Sequence, residues 1–130
     1  MIFLDSNVPM YLVGAEHANK HAARRILERL VAASERLVTD AEVIQEILHR
    51  YSAIRRRDAI GPCVDALVGL ADEVFPVDLE DALKARDLMD SSDRLSARDA
   101  LHLAVMMRYG VRRIVTFDAG FDTVADIERI

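Results

Sequence analysis

The sequence predicts an α/β fold in which a mostly parallel, short-stranded sheet is covered by helices on both faces. Two observations predict it. Short apolar segments alternate along the chain with longer segments whose apolar residues recur at helical spacing. Those apolar segments are polar nowhere along their length, as befits strands buried on both sides of a parallel sheet. A third observation concerns function: the strand at Ile2–Leu4 runs straight into Asp5, and the strand at Ile114–Thr116 runs into Asp118 and Asp122. Sites in parallel sheets form beyond the C-terminal ends of strands, where the strand order reverses. If these two strands are neighbours, their carboxylates converge. An aspartate at a strand tip is also ordinary turn chemistry, so neither residue alone decides the matter.

Taken in order, Ile2 to Leu4 is a short buried strand and Val8 to Val13 a short helical turn. From His17 to Ala33, Ala22, Ala23, Ile26, Leu27, Leu30 and Val31 form a helical stripe. Leu37 and Val38 make a brief strand. Asp40 caps the next helix, in which Val43, Ile44, Ile47, Leu48 and Tyr51 repeat at helical spacing. Pro62 suits a first helical position, placing a helix over Cys63 to Ala71. Val74 to Val77 is a third strand, short because of Pro76. Leu79 to Met89 is helical, and Ser91 to Asp93 is a loop. Ser96 opens a helix that runs to about Arg108 and ends at Gly110. Ile127 begins a last short edge strand. No linker, repeat or low-complexity segment divides the chain, and 130 residues suffice for one domain with its own core, residues 1–130.

Composition narrows the classes. With 52% hydrophobic and 30% charged residues the chain reads as globular. No apolar run approaches the roughly 20 residues needed to span a bilayer, and no basic segment followed by an apolar one opens the sequence, so a cytoplasmic location is expected. The single cysteine, Cys63, excludes an internal disulfide or a Cys-rich zinc site and reads as a core residue. The formal net charge of −5 argues against nucleic-acid binding by bulk electrostatics. That argument weakens if acidic residues converge on a cation, and arginines cluster at Arg50, Arg55 to Arg57, and Arg112 and Arg113.

Two further acids stand out. The helix from Ser96 is apolar almost all round, and Asp99 shares a face with Leu103 and Met106. A charge there is costly unless it is paired, capped or coordinating. The plain alternative is a capping box, Ser96 with Asp99 in the first turn. Glu46 lies roughly 60° outside the apolar arc of its helix, able to reach a cleft beside the core. Its plain alternative is an i,i+4 pair with Arg50, and Glu42 is its rival one turn earlier. Asp5, Glu46, Asp99 and Asp118 from four segments would repel one another. A hard divalent cation, Mg²⁺ or Mn²⁺, removes that penalty and suits phosphodiester hydrolysis. The four histidines read as structural or solvent-facing.

With these residues assembled, the sequence resembles the PIN-domain ribonucleases, specifically the VapC-like toxins of type II toxin–antitoxin pairs, over nearly its whole length. Asp5-Ser6-Asn7 resembles the opening Asp-Ser/Thr-Asn/Ser motif, and Gln45-Glu46-Ile47-Leu48 the segment carrying the helix glutamate. Ala97-Arg98-Asp99-Ala100-Leu101-His102-Leu103-Ala104 is similar to the central aspartate helix. Thr116-Phe117-Asp118-Ala119-Gly120-Phe121-Asp122 resembles the terminal Thr-x-Asp-x-x-Phe motif. The resemblance implies a three-layer α/β/α fold, a Mg²⁺-dependent endoribonuclease (Mn²⁺ in its place), an RNA substrate, a homodimer and inhibition by a small antitoxin. It implies that Asp5, Glu46, Asp99 and Asp118 are catalytic, with Asp5, Asp99 and Asp118 as metal ligands and Ser6 and Thr116 orienting them. Many members carry an acid where this chain has Gly120, which leaves a second metal dependent on Asp122. Arg55 to Arg57 or Arg98 are the candidates for flanking phosphates. The competing class is a non-enzymatic module with an acidic cation pocket, either receiver-like or purely protein-binding. A receiver-like domain would carry a lysine just after a late strand, where this chain has Phe117 and Asp118.

Overall fold

Five parallel strands meet in one sheet in the order β3-β2-β1-β4-β5, in a computed structural model that describes residues 1–130. The strands are β1 (Ile2–Leu4), β2 (Leu37–Asp40), β3 (Glu73–Phe75), β4 (Arg113–Val115) and β5 (Glu128–Arg129). Between them run α1 (Asn7–Val13), α2 (Ala18–Ala32), α3 (Ala41–Ala53), α4 (Ile60–Leu70), α5 (Leu79–Asp90) and α6 (Ala97–Tyr109). The architecture is three-layered, α/β/α, as the sequence predicts. No helix is long and apolar enough to cross a membrane.

The strands are short because each is flanked by residues that turn the chain. Asp5 and Ser6 follow β1 directly, and Pro76 follows β3. Every residue of β1 is fully buried, which explains a strand with no polar alternation: it is central and covered on both faces. Ile2, Phe3 and Leu4 join Leu37, Val38, Ile47, Ile114, Val115 and Phe121 in the main core. A smaller cluster, Ala85, Leu95, Ala100, Leu103 and Ala104, fastens α5 to α6.

Most element boundaries shift by a residue or two from the sequence reading, and three shifts have a clear physical reason. The helix expected from Cys63 begins at Ile60, so Pro62 is its third residue; the first turn still tolerates proline, since N–H groups there have no intrahelical acceptor. β4 stops at Val115, leaving Thr116 just beyond the strand, where its hydroxyl is used. The third strand is Glu73–Phe75, because Pro76 lies outside it. Gly110 ends α6 in the left-handed conformation (φ 70°), as expected of a C-terminal glycine.

The topology fixes where a site can lie. From β1 the chain builds outward through β2 to β3, then crosses back to place β4 on the other side of β1. The strand order therefore reverses between β1 and β4. Their register pairs Leu4 with Val115, so the chains leaving these two strand ends carry Asp5 and Thr116 side by side.

Candidate metal centre

Asp5 is held from both ends of the switch point. It is 4% exposed; its Oδ1 accepts the Ser6 backbone N–H at 2.7 Å and its Oδ2 accepts the Thr116 hydroxyl at 2.6 Å. The same Thr116 oxygen accepts from Asn7 Nδ2 at 3.2 Å and from the Asp118 backbone N–H at 3.1 Å. Asn7 Oδ1 in turn accepts the Phe117 N–H at 3.2 Å. These bonds tie the loop after β1 to the loop after β4 and fix the Asp5 carboxylate in one orientation.

Asp118 opens the turn of 3₁₀ helix Ala119–Thr123, with its Oδ1 accepting the Gly120 N–H at 2.8 Å, and buried Phe121 anchors that turn in the core. The glycine has a steric reason. A β-carbon at position 120 would lie 3.2 Å from Asp118 Oδ1, so a larger residue would crowd the carboxylate. Asp122, the candidate to replace the acid missing there, is ion-paired in this structure. Arg129 holds both of its oxygens, Nε to Oδ1 at 2.8 Å and Nη2 to Oδ2 at 2.9 Å.

Asp99 enters from the first turn of α6. Ser96 caps the helix, its hydroxyl accepting the Asp99 N–H at 3.1 Å. The reciprocal bond that completes the box at Asp78 and Asp81 on α5 is not made here, so capping does not consume the Asp99 carboxylate. Burial, then the charges of Asp5 and Asp118, push its pKa up to about 6. Burial likewise raises the Asp5 carboxyl, with the charge of His102 and the bonds from Thr116 and Ser6 opposing it.

Glu46 comes from α3. The expected pair with Arg50 is loose, at 4.0 Å, and its nearer neighbour is His102, with Nε2 3.6 Å from Oε2. Burial raises the Glu46 carboxyl, but His102, Ser6 and Arg98 together outweigh it and hold the group below its ordinary value. The rival Glu42 pairs with Arg98 at 3.8 Å.

His102 is the member of the cluster that sequence reasoning set aside. It is fully buried, with Nδ1 2.8 Å from Asp40 Oδ2 and its ring 5.4 Å from that of Phe3. Burial disfavours its charged form, yet the bond to Asp40 and the neighbouring carboxylates of Glu46 and Asp5 raise its pKa to about 10. Its Nε2 has no hydrogen-bond partner. One donor atom each from Asp5, Glu46 and His102 lie within 4.8 Å of one another, so the tightest group is not the Asp5, Asp99 and Asp118 wall expected from sequence. The only local signal was that His102 follows Asp99 by three residues, on the same side of α6.

Beside Asp118 opens a groove of about 500 Å³, lined among others by Asn7, Tyr11, His17, Arg50 and Phe117. Tyr11 meets Phe117 edge to face at 5.0 Å between ring centroids. Of the arginines expected at the rim, Arg98 pairs with Glu42 and Arg56 with Asp58; Arg50, which was not among them, lines this groove.

Residues 2–127 match the family model described as PIN domain. The chain is 54% identical over 130 residues to a VapC ribonuclease of Mycobacterium bovis and, equally, to ribonuclease VapC13 of Mycobacterium tuberculosis, covering 100% of this chain and 99% of each relative. Ribonuclease VapC23 of Mycobacterium tuberculosis is 43% identical over 118 residues, covering 91% of this chain and 93% of its own. Among solved structures, Mycobacterium tuberculosis VapC20, described as a sarcin–ricin loop cleaving toxin, superposes with a TM-score of 0.74 at 24% identity, covering 98% of both chains. FitAcB from Neisseria gonorrhoeae gives 0.75 at 16% identity, covering 100% of this chain and 96% of that one. Those two likenesses establish the fold.

Proposed function

This chain belongs to the PIN-domain family, among the VapC ribonucleases, and from that premise we propose that it is an endoribonuclease toxin whose acidic centre works with a divalent cation. Asp5, Asp99 and Asp118 are the proposed ligands, with Glu46 at the inner edge. One observation carries the reading: Asp99, in a partly desolvated cleft, is raised to about 6 by burial and by the charges of Asp5 and Asp118. Carboxylates gathered this closely at a switch point repel one another, and a divalent cation relieves that repulsion. The donor set fits a hard divalent ion, being mostly carboxylate oxygen. When bound, such an ion offsets the charge developing on a phosphodiester and acidifies a water.

The protein's own groups do the rest. Ser6 N–H and the Thr116 hydroxyl fix Asp5 so that its carboxylate need not reorganise. A carboxylate of the cluster accepts the proton of the attacking water. Arg50 offers a cation to a phosphate flanking the scissile bond, and Tyr11 and Phe117 offer aromatic surface to unpaired bases in the groove. The proposed setting is the cytoplasm, with the chain as a homodimer restrained by a small antitoxin. The VapBC and FitAB assemblies among its structural neighbours support such a partner, and the negative field of the site favours a basic side chain from it.

Expression of this chain alone is therefore expected to arrest growth of a bacterial host. Co-expression of the small protein encoded beside it should relieve the arrest, and Asp118→Asn should be harmless at equal expression. Colony counts and culture density after induction provide the check. Unimpaired growth with wild-type protein that still cleaves RNA when purified contradicts the toxin assignment.

A further inference from the structure

We infer that His102 is a nitrogen ligand of the cation, completing with Asp5 and Glu46 a mixed nitrogen–oxygen site oriented by Asp40. The inference rests on the cation reading above and adds a ligand of a different chemical kind.

The starting point is an orphaned atom. His102 Nε2 is fully enclosed and makes no hydrogen bond within normal reach, facing only carboxylate oxygen. The nearest acceptor, Glu46 Oε2, is 3.6 Å away, beyond the 3.2 Å reach of a normal N–H···O bond. Two ligands each about 2.1 Å from one ion stand roughly 3.0–3.4 Å apart, so the observed gap needs to close by only a few tenths of an ångström to share an ion. An N–H group would be directed at one acceptor, whereas the His102 ring offers a nitrogen within 4.8 Å of carboxylate oxygens of both Glu46 and Asp5. An ion engages both.

The other side of the ring is arranged as in a ligating histidine. Such residues place their second nitrogen against a carboxylate, which fixes the tautomer and the ring plane. Here Nδ1 meets Asp40 Oδ2 at 2.8 Å, and Asp40 is itself immobilised, fully buried and accepting the Val43 N–H at 2.9 Å through Oδ1. Asp40 therefore caps α3, the helix that carries Glu46, and aims His102 at the same point. Binding of the ion displaces any proton on Nε2. A nitrogen ligand also shifts preference from Mg²⁺ toward Mn²⁺.

The test is pulsed electron paramagnetic resonance of the metal-free protein loaded with Mn²⁺, using ¹⁴N- and ¹⁵N-histidine protein, for wild type, His102→Gln and His17→Gln. The wild-type spectrum should show a directly coordinated histidine nitrogen that changes with the isotope. His17→Gln, altered in the groove beside Asp118, should retain it. His102→Gln should lose it and bind Mn²⁺ at least ~10-fold more weakly. Mn²⁺ bound to wild type without a coupled histidine nitrogen overturns this inference and leaves the cation reading standing, as does a coupling lost in His17→Gln or kept in His102→Gln. Failure of wild type to bind Mn²⁺ at all overturns both. The wild-type and His17→Gln spectra decide the question even if His102→Gln fails to fold.

Discussion

Asp5→Asn is expected to lose RNA cleavage on the order of 10³-fold while keeping its fold. The amide has the shape of the carboxylate and can keep the contact to Ser6 N–H, while the Thr116 oxygen, already accepting from Asn7 and the Asp118 N–H, gives up its bond to this side chain. What disappears is a buried negative charge at the point where β1 and β4 diverge, and with it a proposed ligand that no neighbouring side chain can replace. Asp122→Asn is the matched control: the same chemical change in the same region, on a carboxylate held by Arg129 at the surface. Its activity should stay within about twofold of wild type, as expected of a surface ion pair. Single-turnover cleavage of labelled RNA, with circular dichroism to verify folding, measures both. Full activity in Asp5→Asn would remove Asp5 from the centre.

Without a cation, Asp99→Asn should melt higher than wild type at neutral pH, although it destroys activity. The sign follows from the direction of the shift. The folded-state pKa of Asp99 is about 6 against an ordinary 3.8, so ionising the group costs folding energy. That cost is absent below about pH 4, grows through the window between the two values and is complete above about pH 6. The metal-free wild type therefore loses stability over that window relative to the variant, and the two converge near pH 4. A shift of this size corresponds to at most ~3 kcal/mol. The partly solvated side chain reduces it to about 1–2 kcal/mol, and the variant forgoes roughly 0.3–1 kcal/mol of favourable helix-dipole interaction. A cation acts oppositely. At about 100 times its dissociation constant it adds ~2.7 kcal/mol to wild type, a melting rise of roughly 8–13 °C for a domain of this size. The variant should start higher and gain far less. Calorimetry on both proteins across pH, with chelator and with Mg²⁺ or Mn²⁺, reads this directly. A lower melting point for Asp99→Asn in chelator would mean that its carboxylate serves chiefly as a helix N-terminal charge.

What was legible in the sequence is what local chemistry determines. Wholly apolar segments are central strands because no half-exposed strand lacks polar alternation, and β1, with every residue buried, is the clearest case. Asp5 and Asp118 could be flagged from strand tips alone, and parallel pairing of β1 with β4 then makes them neighbours. Asp40 was legible as the cap of α3. Its second task was not, because it depends on a contact with a histidine 62 residues away. His102 looked like one more member of an apolar helix, and only the fold reveals that it sits among Asp40, Glu46 and Asp5. The partner of Asp122 was hidden for the same reason: the terminal motif marks the residue, but only β5 brings Arg129 to pair with it. Sequence patterns carry periodicity and capping well; they do not carry which side chain a distant element brings to meet a charge.

The chemical identity of the cleaved RNA ends tests the central claim most directly. Hydrolysis by an external water at a cation-assisted acidic centre leaves a linear monophosphate on one product and a hydroxyl on the other, and it stops in EDTA. Attack by the RNA's own 2′-hydroxyl leaves a 2′,3′-cyclic phosphate and needs no added water in the cleavage step. Purified protein incubated with end-labelled single-stranded RNA, with Mg²⁺ or Mn²⁺ and separately with EDTA, should yield only linear monophosphate ends, and none in the chelator. Cyclic phosphate ends, or cleavage undiminished by EDTA, would contradict the account.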